Sequence, residues 1–139
     1  MKTITKQLLI FAMFATVFTI IFRYFLSYGI ENQSGITTTI SAVTYGILMF
    51  VFGWYFGLKE IEFLPIYDIG FRFHLTTYLI HNVFSLLWIV LGFGSKFENI
   101  NIPIKVAFYW GISLIIHFIY FILTRKNSIN NINKEDIFE

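Results

Sequence analysis

The sequence predicts an all-α membrane protein, a four-transmembrane-helix bundle with both termini in the cytoplasm. Three observations predict this fold class. Of the 139 residues, 57% are hydrophobic and only 13% are charged, whereas about a quarter of the residues in a typical soluble chain are charged. Four apolar runs are each long enough to cross a bilayer, which takes roughly 20 residues of helix. Lysine and arginine are unequally shared between the two sides of those runs.

The four runs are continuous rather than alternating, so they predict helices and not a membrane β-barrel. The first run follows two lysines, as the core of a signal peptide does, but it is longer and lacks a small-residue cleavage site. We therefore expect it to be a retained helix. The predicted spans cover about 7–28, 36–58, 71–93 and 103–124 within a domain of residues 1–126, and a short polar cytoplasmic tail follows over 127–139.

The orientation follows from the basic residues. An even number of spans places both termini on one side, and the side richer in Lys and Arg is expected to be cytoplasmic. That side holds Lys2, Lys6, Lys59, Arg72, Arg125, Lys126 and Lys134, and the other holds Arg23, Lys96 and Lys105. Both termini are therefore expected in the cytoplasm, and a bacterial inner membrane is the expected location.

The connection between the second and third spans, KEIEFLPIYDIG over residues 59–70, mixes apolar side chains with the carboxylates of Glu60, Glu62 and Asp68. Such a segment is expected in the headgroup layer, with its apolar residues dipping down and its carboxylates in water. Pro65 should prevent one regular helix throughout the segment.

Polar side chains share one face of the third and fourth spans, because positions i, i+3, i+4 and i+7 lie together on a helix. Hydrocarbon offers no hydrogen-bond partner, so these faces should turn toward the bundle interior. Counting from the end that carries the termini places His81 and His117 at similar depth on neighbouring helices. The predicted intramembrane polar site consists of His74, Tyr78, His81, Asn82, Ser85, Ser113, His117, Tyr120 and, in the first span, Arg23.

Two kinds of role are open for this face. The structural role is hydrogen bonding between helices, at about 0.6–2 kcal/mol for each bond. The functional role is proton relay, or haem ligation by His81 and His117. No cofactor is expected, with haem as the alternative, because Ile80 and Phe84 crowd His81. Zinc is not expected either, since three histidines at two depths make a poor tetrahedral site.

Arg23 is the only charged residue well inside a predicted span. We interpret it as snorkelling to the outer headgroups, toward Glu31 or Glu98, with an anion-attracting group at a pore mouth as the alternative. In the second span, small residues recur on one face, which predicts close helix packing. They are Ala42, Gly46, Gly53 and Gly57.

The motifs of common enzymes are missing from the sequence: it has no G-x-S-x-G, H-E-x-x-H, P-loop or G-x-G-x-x-G. It has no cysteine, and a net charge of only +2 gives no reason to expect nucleic acid as a partner. The favoured hypothesis is a non-catalytic protein of the lipid bilayer that self-associates or packs with partner membrane subunits. The alternatives are a small oligomeric channel or proton pathway using the His/Ser/Tyr face, and a haem- or quinone-binding membrane anchor.

Overall fold

The computed structural model contains four helices: α1 (Lys6–Glu31), α2 (Gly35–Leu58), α3 (Ile66–Val90) and α4 (Asn101–Asn130). It describes residues 4–61 and 66–130. All four helices are long and apolar enough to cross a membrane. The prediction of an all-helical chain with four candidate spans is thereby confirmed, and the helices indicate a multi-pass membrane protein.

The bundle has two ends, which we call the hairpin end and the terminal end. The hairpin end holds the short α1–α2 turn and the α3–α4 loop, and the terminal end holds the start of α1, the α2–α3 connection and the end of α4. Hydroxyl caps begin the first two helices: Thr5 accepts a hydrogen bond from the Leu8 N–H, and Ser34 accepts one from the Thr37 N–H. Each cap satisfies a first-turn amide that the helix itself leaves unpaired.

The core is built by three helices. Helix α1 packs against α2 and α3, whereas α4 packs only against α3 among the described helices. The buried core side chains are Phe11 and Ala15 of α1, Met49 and Phe56 of α2, and Ile69 and Phe73 of α3. The bundle is therefore open, because α4 is attached to the outside of α3 and leaves a groove toward α1 and α2.

The connection between α2 and α3 differs from the prediction. Helix α3 begins at Ile66 instead of 71, and two carboxylates expected in water are buried. Glu60 is 2% exposed and accepts a hydrogen bond from the Thr5 hydroxyl, and Asp68 is 7% exposed and pairs with Arg72 at 2.8 Å. The prediction was wrong for both because each carboxylate finds a partner within the protein, Asp68 one turn away on its own helix. Residues 62–65, with Glu62 and Pro65, lie outside the described residues.

The ends of α3 and α4 also shift. Helix α3 ends at Val90 rather than 93, because Gly92 adopts a positive φ of 79° and starts the loop. Helix α4 continues to Asn130, so the predicted tail over 127–139 begins inside a helix. Residues 131–139 and 1–3, which include Lys134 and Lys2, lie outside the described residues.

Candidate functional site

Two histidines and a tryptophan join α3 to α4. The Nδ1 atoms of His74 and His117 are 3.0 Å apart, and the Trp110 indole N–H donates to His74 Nε2 at 2.6 Å. Since an indole nitrogen can only donate, His74 Nε2 must accept, and a neutral His74 then carries its proton on Nδ1. His74 therefore donates to His117 Nδ1, which leaves the proton of a neutral His117 on Nε2.

The prediction that His81 and His117 lie at similar depth was wrong, because His117 lies opposite His74, to which it is hydrogen-bonded. His74 lies 16 residues before the end of α3, and His117 lies 16 residues after the start of α4. The antiparallel hairpin therefore brings these two to the same level. Counting from the terminal end failed because the two helices do not end level there: α4 continues 13 residues beyond His117, whereas α3 begins only 8 residues before His74. His81 lies seven residues closer to the hairpin end than His74, or roughly 10 Å along the helix.

His81 belongs to a second chain of hydrogen bonds, directed toward α1 and α2. Its Nδ1 is 3.2 Å from the Tyr45 hydroxyl, which is 3.0 Å from the Thr19 hydroxyl. Thr19 gives its only hydroxyl proton to the Ala15 carbonyl at 2.7 Å. Tyr45 must then donate to Thr19, and His81 Nδ1–H must donate to Tyr45. In a neutral His81, Nε2 is consequently an acceptor, and no described residue donates a hydrogen bond to it.

Sequence reasoning missed Tyr45. The signal was present, because a tyrosine in the middle of an apolar span must find a partner for its hydroxyl. Tyr45 also stacks on Phe22 with ring centroids 4.5 Å apart, which fixes the ring between α1 and α2. The tyrosine thus connects the polar face of α3 to the other two core helices.

The two hydrogen-bond chains approach each other at Trp110. Its ring centroid is 5.3 Å from that of His81 and 6.1 Å from that of His74. The single indole N–H is used on His74, so no hydrogen bond joins the two chains within the described structure. A group that only donates cannot accept a proton and pass it on. Chemically, this arrangement links helices and orients each histidine ring.

The remaining predicted residues of α3 lie inside the protein. Tyr78 donates to the Ala107 carbonyl of α4 at 3.2 Å, and the Asn82 amide donates to the Tyr78 carbonyl at 2.7 Å. Asn82 is 7% exposed and Ser85 is 1% exposed. The polar face of α3 is therefore turned toward its neighbours, as its spacing predicts.

The polar face of α4 is only partly covered. His117 and Trp110 contact α3, but Ser113 and Tyr120 are exposed, Tyr120 by 59%. Placing these two in the bundle interior was wrong for the single chain. The physical reason is that α3 covers one side of α4 and no other described helix packs against it.

Arg23 forms a buried ion pair within the protein. Its guanidinium bonds the carboxylate of Glu98 in the α3–α4 loop, and both side chains are 5% exposed. The loop folds back over the end of α1, which removes Arg23 from the surface. Glu98 was one of the two partners expected, whereas the other, Glu31, pairs with Lys96 at 3.1 Å.

The Glu98 carboxylate is held by further donors. The Ser27 hydroxyl and the Ser95 backbone N–H both donate to it, the latter at 3.2 Å. The Trp88 indole in turn donates to the Ser27 oxygen at 3.0 Å. A buried carboxylate needs this many partners to offset its lost hydration.

The small-residue face of α2 packs against other described helices only in the C-terminal half of the helix. A Cβ built on Gly53 would lie 3.8 Å from the Phe11 ring, and one on Gly57 would lie 3.4 Å from a methyl of Ile69. Both glycines therefore lie at helix–helix contacts. Ala42 and Gly46 are exposed, and no described atom lies within 4 Å of a Cβ built on Gly46. Their predicted packing role has no counterpart among the described residues, because no described helix covers that face of α2.

Two clefts lie beside α4. The terminal cleft, about 540 Å³ between α2, α3 and α4, has apolar walls and contains His74, Thr77 and His117. The hairpin cleft, about 340 Å³ between α1, α3 and α4, contains Arg23, His81, Ser85 and Glu98. Among the described residues, no group of three or more His, Cys, Asp or Glu could hold a metal ion.

The chain was compared with protein-family models, with curated proteins and with solved structures, and nothing matches it in any of the three comparisons.

Proposed function

We propose that this protein is a non-catalytic, four-span membrane protein that associates with a second copy of itself through α4. The observation that carries the proposal is the uncovered side of α4. Three hydroxyl residues lie on it at helical spacing, Tyr109, Ser113 and Tyr120, with Tyr109 69% and Tyr120 59% exposed. Ser113 lies at the middle of the candidate span Asn101–Thr124, which in a helix that crosses a bilayer is the position farthest from water.

A second copy suits this surface because of its chemistry. A hydroxyl both donates and accepts, so it can pair with the same hydroxyl on an identical chain. The three residues carry no charge that would repel a copy. In a dimer with its two-fold axis along the membrane normal, residues of equal depth meet, and Ser113 would meet Ser113. The small serine side chain also allows the two α4 backbones to approach closely.

The interior polar residues support a structural rather than a catalytic role. His74, His117 and Trp110 bond one another across α3 and α4, and His81 bonds across to Tyr45. Such bonds hold helices together in lipid. The alternative of a channel or proton pathway stays a prediction, and a continuous relay would need a link between the two hydrogen-bond chains.

Self-association should be detectable by cysteine cross-linking, because the chain contains no native cysteine. We expect Ser113→Cys to give a disulfide-linked dimer under mild oxidation of intact membranes, since a disulfide requires Cα atoms about 4.4–6.8 Å apart. Gly46→Cys is the matched control, because Gly46 is also exposed but lies on α2. Cross-linking at Gly46 alone would contradict the α4 interface, and cross-linking at neither position would contradict self-association.

The proposed orientation places both termini in the cytoplasm of a bacterium, with the protein in the inner membrane. It rests on the excess of Lys and Arg at the terminal end of the helices. A reporter that is active only in the cytoplasm should be active when it is fused after Glu139. The same reporter inserted at Gln33, in the exposed α1–α2 turn, should give the opposite result. Periplasmic activity of the fusion after Glu139 would contradict this orientation.

A further inference from the structure

We propose that the terminal cleft binds a neutral, lipid-soluble molecule bearing a carbonyl oxygen, of the quinone class, with the Nε2–H of His117 as the donor. This goes beyond the proposed self-association. The first step is the direction of the hydrogen bonds. Trp110 fixes the acceptor on His74, and His74 then donates to His117 Nδ1. The His117 ring thus keeps one N–H, on Nε2, which has no hydrogen-bond partner among the described residues.

This free N–H faces the cleft. A Cβ built on Gly70 would lie 3.5 Å from His117 Nε2, and Gly70 and His117 both line the cleft. Glycine at position 70 therefore leaves the space in front of the donor open. An N–H without a partner in an apolar environment loses free energy comparable to a missing hydrogen bond, so an acceptor placed there would be bound favourably.

The walls of the cleft select an apolar body. Its volume of about 540 Å³ falls within the range of small-molecule sites, roughly 300–1,000 Å³. Phe11, Met49 and Trp54 contribute apolar surface. Helices α2 and α3 touch near the terminal end, but α2 and α4 do not pack together. The cleft therefore opens sideways between α2 and α4, and a molecule dissolved in lipid could enter without crossing water.

The polar group of the ligand must be a neutral acceptor. No charged side chain of the described residues lines the cleft, so a carboxylate or phosphate would be buried without a counter-charge, which is costly. A pure hydrocarbon would leave the His117 N–H unpaired. A carbonyl oxygen on a ring system meets both conditions, because it accepts one hydrogen bond and carries no charge.

The test compares menadione with methylnaphthalene, which share a ring skeleton and differ by two carbonyl oxygens. Menadione can react with thiols, but this chain has no cysteine. Binding to the purified protein in lipid nanodiscs would be measured by equilibrium dialysis against empty nanodiscs. We expect the protein to bind menadione roughly fivefold more tightly than methylnaphthalene, the effect of one net hydrogen bond. In NMR spectra of the protein with nitrogen-labelled histidine, the Nε2 signal of His117 should shift when menadione is added and should not shift when methylnaphthalene is added.

Two variants make the result specific. The triple variant His74→Leu, His117→Leu and Trp110→Phe removes every ring N–H of the group together with its acceptors, and such joint replacement is often nearly neutral for stability. It should bind both compounds equally. His117→Gln retains a side-chain N–H and should keep the preference for menadione. Three results would each overturn the proposal. They are equal binding of the two compounds by the native protein, a preference for menadione that survives in the triple variant, and no binding of menadione to the native protein.

Discussion

Replacing Arg23 with methionine should lower the free energy of unfolding by about 3–5 kcal/mol, the cost of leaving one partner of a buried ion pair alone. Both side chains of the Arg23–Glu98 pair are only 5% exposed. Without the guanidinium, the Glu98 carboxylate would be left with the Ser27 hydroxyl and the Ser95 amide as donors. These neutral donors cannot balance its charge, so the loop over the end of α1 should open.

The double variant Arg23→Met/Glu98→Met should recover most of this loss, because an apolar pair can replace a buried ion pair with little cost. The matched control is Lys96→Met, which removes the pair with Glu31. Those side chains are 70% and 41% exposed, so the loss should stay below about 1 kcal/mol. Unfolding would be followed in micelles titrated with a denaturing detergent. Equal losses for Arg23→Met and Lys96→Met would contradict the burial of the Arg23–Glu98 pair.

The four helices could be predicted from the sequence because the length of an apolar run is a local property. The start of α3 could not be predicted in the same way. Asp68 and Arg72 look like the charges of a water-exposed loop, and yet they lie one turn apart and neutralise each other on the helix. Their i,i+4 spacing was the sequence signal for a helical turn, whereas Thr5, the partner of Glu60, is 55 residues away and is revealed only by the folded geometry.

The candidate site was predictable to the level of a helix face. Spacing alone indicates that His74, His81 and Ser85 share one side of α3. Which residue lies opposite His117 depends on how α3 and α4 are aligned along their axes. His74 lies opposite it, and a shift of two helical turns between the helices would place His81 there instead. The exposure of Ser113 was missed for a different reason. Its polar face was expected to meet a helix of the same chain, but the described helices cover only one side of α4.

Which glycine lies at a close helix contact could not be predicted from sequence spacing either, and this leads to the second prediction with a large expected effect on stability. Sequence spacing selects a small-residue stripe on α2, but among the glycines of the described residues the one with least room for a Cβ is Gly29 of α1, which is buried. A Cβ built there would lie 2.7 Å from the Thr38 hydroxyl oxygen and 3.0 Å from the Thr38 backbone nitrogen. That nitrogen is held by its hydrogen bond to the Ser34 carbonyl, so it cannot yield without loosening the first turn of α2.

Gly29→Leu should therefore destabilise the protein by about 3 kcal/mol, the upper part of the usual range for overpacking, because α1 and α2 must separate at the hairpin end. Gly46→Leu is the matched control, since no described atom lies within 4 Å of a Cβ built there. It should raise stability by about 0.5–1 kcal/mol, the gain from removing a flexible glycine within a helix. The same chemical change should thus have opposite signs at the two sites when unfolding is measured in the detergent titration. A stabilising Gly29→Leu would mean that α1 and α2 do not approach each other closely at Thr38, and a destabilising Gly46→Leu would place a helix of a second copy against α2 rather than α4.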